Sequence, residues 1–256
     1  MKIRRAMFYP FFMQEVVARR LDRIITGSYN SLESVRRAFR LHEGQITAIH
    51  DGVDTLVFRP LELPKRTRSI LFVGNGDDRN KGGRYLLEAA KILQDRGIDF
   101  HLTFKDRLDA QMAPALIEEL GIGGRVTFLG RMPVEELVRL YNEHEVLVSP
   151  SLYEGFGLPA AEAMACGTPV VATTAGAFPE TIVSGETGIL VPPADARALA
   201  AAIETLLEHP EQRRAMGAAG VRRMQEQFSW RACAEKTAAL YEEVLEGWRA
   251  GAEHGV

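Results

Sequence analysis

YEGFGLPAAEAMACG, residues 153–167, places a glycine-rich loop directly before an alanine-rich segment that is typical of a helix. Its two glutamates, Glu154 and Glu162, are eight positions apart, so one lies in the loop and the other about two turns into the helix. Backbone N–H groups at such a junction can bind phosphate, and carboxylates on either side can accept hydrogen bonds from hydroxyls. The spacing therefore predicts a nucleotide-sugar site.

The composition indicates an ordinary soluble globular protein. Of 256 residues, 25% are charged and 46% hydrophobic, and the net charge of -3 gives no reason to expect nucleic acid as a partner. The two cysteines have no metal-ligand spacing, which favours a reduced, cytoplasmic setting. No apolar run is long enough for a bilayer, and the start is too charged for a signal peptide.

Six short apolar segments alternate with helical patterns on both sides of the glutamate stretch. This alternation predicts an α/β fold, a doubly wound, Rossmann-like parallel sheet over residues 69–228 with strand order 3-2-1-4-5-6. The predicted strands are residues 70–73, 100–104, 126–129, 146–148, 170–172 and 189–191. The predicted helices are residues 84–96, 110–120, 134–143, 159–165, 179–183, 194–208 and 211–227.

The two ends of the chain have a different pattern. The first 40 residues hold nine Lys or Arg against three Asp or Glu, and residues 2–20 predict a basic helix interrupted near Pro10. Two short strands follow, at residues 23–26 and 46–49, with Ser31 as the N-cap of a helix between them. Gly52 is expected at positive φ in a turn, and residues 59–68 are expected to be a linker. A last helix begins at residue 229 and is expected to pack through one face, formed by Trp230, Ala234, Thr237, Tyr241 and Val244.

Ligands of doubly wound sheets bind where the strand order reverses, outside the carboxyl ends of the first and fourth strands. Two glycine-rich loops, residues 74–83 and 149–157, follow those strands and should meet there. The first loop contributes cations that can bind a diphosphate, and the second contributes backbone N–H donors. The residues after the third strand can line one side of the pocket for the nucleobase. The predicted binding residues are Gly76, Arg79, Lys81, Arg131, Met132, Gly155, Phe156, Gly157, Leu158 and Glu162, with Glu154 as the catalytic residue.

Each of these residues also has a purely structural interpretation. Glu154 and Glu162 can be helix-capping and surface residues, and lone loop cations are usually solvated. Cys166 is expected to be a packing residue, because no histidine partner is implied beside it. Glu180 either binds ligand or favours the N-terminus of its own helix. The histidines, His50 among them, are expected to be structural.

Several motifs resemble the C-terminal domain of glycosyltransferase family 4, which are retaining enzymes of the GT-B fold. YEGFGLPAAEAMACGTPVVAT and PETIVSGETGILVPP carry the family's E-x7-E signature and the segment after it. FVG…KGGRYLLEA and FLGRMPVEELVRLY match in place and order. IHDGVDTLVFRP resembles the family's interdomain segment, and RIITGSYNS the end of its N-terminal domain. The resemblance runs from about residue 18 to about residue 245.

The resemblance implies transfer of a hexose-type sugar from a nucleoside-diphosphate sugar to an acceptor hydroxyl on a sugar, a lipid-linked sugar or a small molecule. It implies that Glu162 binds the donor ribose and that Glu154 contacts the donor sugar near C3 or C4. Arg79, Lys81 and the amides of residues 156–158 would neutralise the diphosphate. No metal and no other cofactor is implied, and the leaving phosphate would help to deprotonate the acceptor in a front-face substitution.

The chain departs from the family in two ways. Asn75 occupies a position where family members carry arginine, and only about 60 residues precede the donor domain. Residues 1–58 are therefore expected to be a remnant of the acceptor domain with the interdomain segment, and residues 229–256 a crossing helix and tail. A non-catalytic nucleotide-sugar-binding subunit that needs a partner chain is the main alternative, and a GT-B epimerase or phosphorylase is a third.

The basic N-terminal segment has two interpretations. It either contacts anionic lipid at the inner face of the membrane or packs on a neighbouring domain.

Overall fold

A computed structural model describes residues 11–106 and 110–253 as two parallel sheets with ten α-helices in these residues. The strands are β1 Ile24–Thr26, β2 Ile46–Ala48, β3 Ser69–Val73, β4 His101–Lys105, β5 Val126–Leu129, β6 Val146–Ser149, β7 Val170–Thr173 and β8 Gly188–Val191. The helices are α1 Phe11–Ala18, α2 Tyr29–Phe39, α3 Gly83–Asp95, α4 Met112–Leu120, α5 Val134–Glu143, α6 Leu158–Ala165, α7 Phe178–Thr181, α8 Ala196–Glu208, α9 Pro210–Gln227 and α10 Trp230–Glu253.

The six-stranded sheet has the order β5-β4-β3-β6-β7-β8, and every neighbouring pair is parallel. Counted from β3, this is the predicted order 3-2-1-4-5-6, so the doubly wound fold is confirmed. The order reverses between β3 and β6, where Ile70 pairs with Val146. The loops after these two strands therefore leave the same edge of the sheet side by side.

The sheet separates two apolar clusters, because side chains alternate between its faces. Ile70 and Phe72 join the cluster under α3, α4 and α8, where Phe72 stacks on Phe104 with ring centroids 4.3 Å apart. Leu71 joins the opposite cluster, under α5, α6 and α9. Burying one such side chain stabilises the fold by about 1.5–3 kcal/mol, so both helix layers are held firmly and the loops at the carboxyl edge rest on a rigid base.

The N-terminal unit is the two-stranded parallel sheet β1–β2 with α2 packed on it. The prediction that Ser31 caps α2 is wrong, because the helix begins at Tyr29. Ser28 is the N-cap, and its Oγ accepts a hydrogen bond from the Ser31 N–H at 3.1 Å. Ser28 lies in extended backbone at the end of β1, which is the conformation that an N-cap needs. Of the predicted helix 2–20, only Phe11–Ala18 falls among described residues and is helical; residues 2–10 lie outside them.

Gly52 does not have the positive φ that was predicted for it. It is instead a point of close approach, since a Cβ there would lie 2.6 Å from the backbone nitrogen of Trp230. Beside it, the Val53 N–H donates to the Phe228 carbonyl at 2.8 Å and the Trp230 N–H donates to the Val53 carbonyl. The absence of a side chain at Gly52 therefore allows the interdomain segment to cross the start of α10.

Residues 59–68, predicted as a linker, contain no helix or strand but are fixed to the domain of the six-stranded sheet. The Leu61 N–H donates to Asn142 Oδ1 at 2.7 Å. Lys65 Nζ donates to the His144 carbonyl at 2.7 Å and to Thr168 Oγ1 at 2.8 Å. Burial lowers the pKa of Lys65 to about 8. These hydrogen bonds attach residues 59–68 to the domain along their length, so the segment is not a free linker.

The predicted packing face of α10 is largely uncovered in the described structure. Trp230 and Tyr241 are 54% and 61% exposed. The helix contacts the N-terminal unit through other residues: Arg23 pairs with Glu243 at 2.6 Å, and Trp248 Nε1 donates to an oxygen of Asp22.

Across the described residues, no helix combines the length and apolar character needed to cross a bilayer.

Candidate functional site

The loop after β3 is shaped by Gly76 and by two carboxylates, Asp78 within the loop and Asp106 directly after β4. The Gly76 N–H donates to Asp106 Oδ2 at 2.7 Å, and a Cβ on Gly76 would lie 2.8 Å from that oxygen. Asp78 then accepts from the Asn80 N–H and begins a single 3₁₀ turn, Arg79–Lys81. The hydrogen bonds of Gly76 and Asp78 fix the backbone of this turn, from which the side chains of Arg79 and Lys81 extend.

The loop after β6 ends at Gly157, the N-cap of α6. Gly157 has φ +94°, and a Cβ there would lie 2.6 Å from the Phe178 ring, so only glycine fits. Phe156 is buried against the rings of His50 and Phe228, which also contact each other, whereas Leu158 is exposed. The N–H groups in the first turn of α6 have no acceptor within their own helix. Free N–H groups at a helix N-terminus are a common binding place for anions.

The two loops meet, as the strand order predicts. Lys81 Nζ forms an ion pair with Glu154 Oε2 at 2.9 Å, and Ser151 Oγ donates to the same oxygen at 3.2 Å. The Leu152 N–H also donates to the Asn80 carbonyl at 2.7 Å. The Glu154 and Lys81 side chains are 12% and 33% exposed, so the pair opens to solvent on one side. A cation and a carboxylate of the two loops are therefore adjacent at the switch point.

Glu162 lies behind this pair on α6 and is held by a tyrosine that the sequence reasoning did not single out. Tyr141, on α5, donates its hydroxyl hydrogen to Glu162 Oε2 at 2.7 Å. Burial raises the pKa of the Glu162 carboxyl. Burial, and then the neighbouring Glu162 charge, raise the pKa of Tyr141 well above its ordinary value. Glu162 is therefore a partly buried carboxylate in a fixed orientation, and not a freely solvated surface residue.

The other predicted binding residues lie further apart. Arg79 is exposed and lines a cavity of about 550 Å³ together with Arg84, Tyr85 and Met112. Arg131 is exposed, and Met132 lines a separate depression beside α5. The structure therefore brings Lys81, Glu154 and the α6 N-terminus together, while Arg79 faces a neighbouring cavity.

Glu180 takes a role that neither of its predicted alternatives included. Its carboxylate accepts hydrogen bonds from the Tyr29 and Asn30 N–H groups, both at 2.8 Å, and from His50 Nε2 at 2.7 Å. It thus caps α2, a helix 150 residues earlier in the chain, rather than its own helix. His50 packs edge-on against Phe228, which agrees with a structural role.

Lys105 is a further residue that the sequence reasoning missed. It ends β4, with Val73 of β3 and Leu129 of β5 on either side, and it is half-buried. Its positive charge acts against the burial effect that raises the pKa of Glu162. The signal available in the sequence was its position: a lysine at the end of an apolar strand whose carboxyl end lies at the predicted crevice.

Two potentially reactive side chains are unsuited to chemistry. Burial raises the pKa of the Cys166 thiol to about 12, in keeping with a packing residue. Burial lowers the pKa of His144 to about 4, so this ring is neutral at pH 7, where it bonds to Thr103 and the Leu140 carbonyl. Among residues 11–106 and 110–253, no group of three His, Cys, Asp or Glu side chains is placed to hold a metal ion.

Comparison with known sequences identifies a family. The family model described as Glycosyl transferases group 1 matches residues 54–223. The MMP alpha-(1->4)-mannosyltransferase of Mycolicibacterium hassiacum is 40% identical over 235 residues, which are 91% of this chain and 57% of that protein. The D-inositol 3-phosphate glycosyltransferase of Corynebacterium diphtheriae is 33% identical over 86% of this chain and 56% of its own length. The chain thus spans a little over half the length of these relatives.

Solved structures have the same fold. The sucrose-phosphate synthase of Thermosynechococcus elongatus superposes with a TM-score of 0.82 at 34% identity, over 93% of this chain and 62% of that one. Anabaena HepE, crystallised in complex with UDP, superposes with a TM-score of 0.82 at 20% identity, over 91% of this chain and 67% of that one. The second likeness concerns the fold alone.

Proposed function

Because the chain belongs to the group 1 glycosyltransferases, we propose that it carries the nucleotide-sugar half of a retaining, family 4 enzyme. The reaction is transfer of a hexose-type sugar from a nucleoside-diphosphate sugar to an acceptor hydroxyl. The observation that carries the proposal is the Lys81–Glu154 pair, 2.9 Å long, at the strand-order reversal and beside the α6 N-terminus. The name of the mannosyltransferase supports transfer of a hexose-type sugar.

The chemistry that we propose is electrostatic. Departure of a nucleoside diphosphate builds negative charge, and positioned cations and amides stabilise that charge. Lys81, the amides of residues 155–158 and, from the neighbouring cavity, Arg79 would share it. The Glu154 carboxylate would release Lys81 to the phosphate and accept hydrogen bonds from the sugar hydroxyls.

Glu162 is proposed to accept hydrogen bonds from the ribose hydroxyls. The Tyr141 hydroxyl fixes one of its oxygens, so that the carboxylate is oriented before ligand arrives. Arg131 and Met132 are proposed to line the side of the pocket that holds the nucleobase. No metal ion is assigned a role in this proposal.

Calorimetric titration with UDP, GDP, ADP and their sugars tests the donor site. At least one of these ligands should bind, and Lys81→Met should weaken a diphosphate more than the matching nucleoside. Glu204→Gln, on the outside of α8, is the control and should leave binding unchanged. If none of the three nucleotide families binds to the unaltered chain, the proposal is wrong.

A second candidate function is a nucleotide-sugar-binding subunit that completes its site with a partner chain. It is favoured by large apolar side chains that are exposed, among them Ile25 of β1, Leu56, and Trp230, Tyr241 and Leu245 of α10. Transferase assays of the purified chain, alone and with co-purifying proteins, separate the candidates. Activity of the chain alone rules out the subunit, and product analysis with donor alone separates an epimerase or phosphorylase.

The N-terminal basic segment supports a proposal about location. Residues 1–40 carry the excess of Lys and Arg, and Val16 and Val17 on α1 are exposed. We expect a cytoplasmic protein with this segment either at the inner membrane face or against a neighbouring domain. Vesicle flotation decides between them, because only membrane contact would depend on anionic lipid content.

A further inference from the structure

Lys105 lies at the carboxyl end of β4, between two parts of the proposed site. Its register partners are Val73, directly before the phosphate loop of β3, and Leu129, directly before the residues after β5 that are proposed to line the nucleobase pocket. Neighbouring strands are about 4.8 Å apart, so the side chain of Lys105 is long enough to reach the loop after β3 or the loop after β5. In the proposed arrangement of the donor, the carboxyl end of β4 is therefore on the nucleoside side.

The side chain faces the same side of the sheet as Glu162. Side chains alternate along a strand, and Phe104 stacks on Phe72 in the cluster under α3 and α4. Thr103 points the opposite way, since its hydroxyl bonds to His144 at the end of α5 at 2.7 Å. Lys105 shares the side of Thr103, which is the α5 and α6 side where Tyr141 and Glu162 meet.

The N–H donors of the Lys105 ammonium have no acceptor in the described structure. Lys105 is half-buried, yet within residues 11–106 and 110–253 its ammonium makes no hydrogen bond and no ion pair. An ammonium group carries three donors and no acceptor, and partial burial without a partner costs free energy. Such a group fits a ligand that offers an acceptor oxygen.

We propose that Lys105 is a specificity-determining residue that donates a hydrogen bond to a carbonyl oxygen of the donor nucleobase. Uracil and guanine present such an oxygen, whereas adenine presents an amino group, which is itself a donor. The chain should then favour uridine or guanosine donors over adenosine donors. The inference rests on the proposed nucleotide-sugar function and adds the base class to it.

The test is a set of calorimetric affinities for UMP, UDP, GMP, GDP and ADP, measured on the unaltered chain, Lys105→Met and Lys105→Arg. The unaltered chain should bind UDP or GDP more tightly than ADP. Lys105→Met should weaken the preferred monophosphate and diphosphate by the same factor, about tenfold or more, and leave ADP unchanged. Lys105→Arg keeps the charge and the donors and should retain the preference. Lys236→Met, on the exposed surface of α10, should change nothing.

Four results would overturn the inference: tightest binding of ADP, unchanged affinities in Lys105→Met, loss of the preference in Lys105→Arg, or equal weakening of all three diphosphates. The last result would identify a phosphate contact instead. If the unaltered chain binds no nucleotide, the proposed function fails first and this inference fails with it.

Discussion

At the scale of single residues, the structure assigns the two glutamates to different environments. Both are half-buried, but Glu154 is paired with the cation Lys81, whereas Glu162 is oriented by the neutral hydroxyl of Tyr141. The folded protein holds a proton on Glu162 more tightly than the unfolded chain does, because burial raises the pKa of this carboxyl. Neutral pH favours the ionised carboxylate, which lowers the free energy of unfolding. The stabilisation that Glu162 contributes is therefore complete at low pH and is lost as pH rises through the raised pKa. Such a cost is typical of a site residue.

Glu162→Gln should separate binding from stability. The amide keeps an acceptor for Tyr141 but cannot carry the charge that ribose hydroxyls would contact, so nucleotide affinity should fall about ten- to a hundredfold. The free energy of unfolding at pH 7 should rise, because no buried charge is left. Calorimetry and urea denaturation measure the two quantities. An unaltered affinity would remove Glu162 from the site.

Two glycines of the same loop should respond differently to alanine. Gly157 has positive φ and contacts the Phe178 ring, so Gly157→Ala should lower the free energy of unfolding by at least about 1 kcal/mol. At Gly155 a Cβ would meet no atom within 4 Å, so Gly155→Ala should be nearly neutral. Urea denaturation of both variants compares them, and equal stabilities would contradict the described loop.

At the scale of elements, the sequence predicted the sheet and its order but not the contacts between distant segments. Short apolar strands alternating with amphipathic helices leave few topologies, so the order could be predicted. The cap of α2 could not, since Ser28 and Ser31 are equally good capping residues and only the end of β1 decides between them. Likewise Tyr141–Glu162 and Glu180–Asn30 join residues whose proximity no local pattern records.

Glu180 should hold the N-terminal unit against the domain of the six-stranded sheet. Glu180→Gln keeps the size of the side chain but removes the charge that accepts from two N–H groups and from His50. Amide hydrogen exchange in the first turn of α2 should become faster, because the charged cap has been lost. Glu208→Gln, exposed at the end of α8, is the control and should leave the exchange in α2 unchanged. Unchanged protection in Glu180→Gln would mean that Glu180 does not anchor α2.

The junction of β4 with α5 should make the protein sensitive to acid. His144 is buried and neutral with a pKa of about 4, below its unfolded value of 6.5, so the unfolded chain takes up a proton first as pH falls. Stability from this group is complete above about pH 6.5 and is lost towards pH 4, by roughly 3 kcal/mol at most. Urea denaturation at pH 7 and pH 4.5 measures the loss.

A matched pair of variants isolates this effect. His144→Gln should reduce the difference in stability between the two pH values. His101→Gln, at an exposed position of β4, should retain it. If both variants keep the full loss, the acid sensitivity has another source.

At the scale of the whole molecule, the described chain consists of a domain built on the six-stranded sheet, the segment 59–68 fixed to it, and a small N-terminal unit. Residues 59–68 are tied to the domain by Asn142 and Lys65. The N-terminal unit is attached through Glu180 and α10, and the exposed face of α10 lies uncovered in the described structure. A two-stranded sheet is marginal by itself, so these attachments hold the unit in place.

The central claim is that a nucleoside diphosphate binds where the loops after β3 and β6 meet. A crystal structure of the chain with the nucleoside diphosphate that binds tightest in calorimetry tests it most directly. We predict the diphosphate at the amides of residues 155–158, with Lys81 in contact and Glu162 on the ribose. Density for the nucleotide elsewhere, for example in the cavity lined by Arg84 and Tyr85 with the α6 N-terminus empty, would contradict the claim.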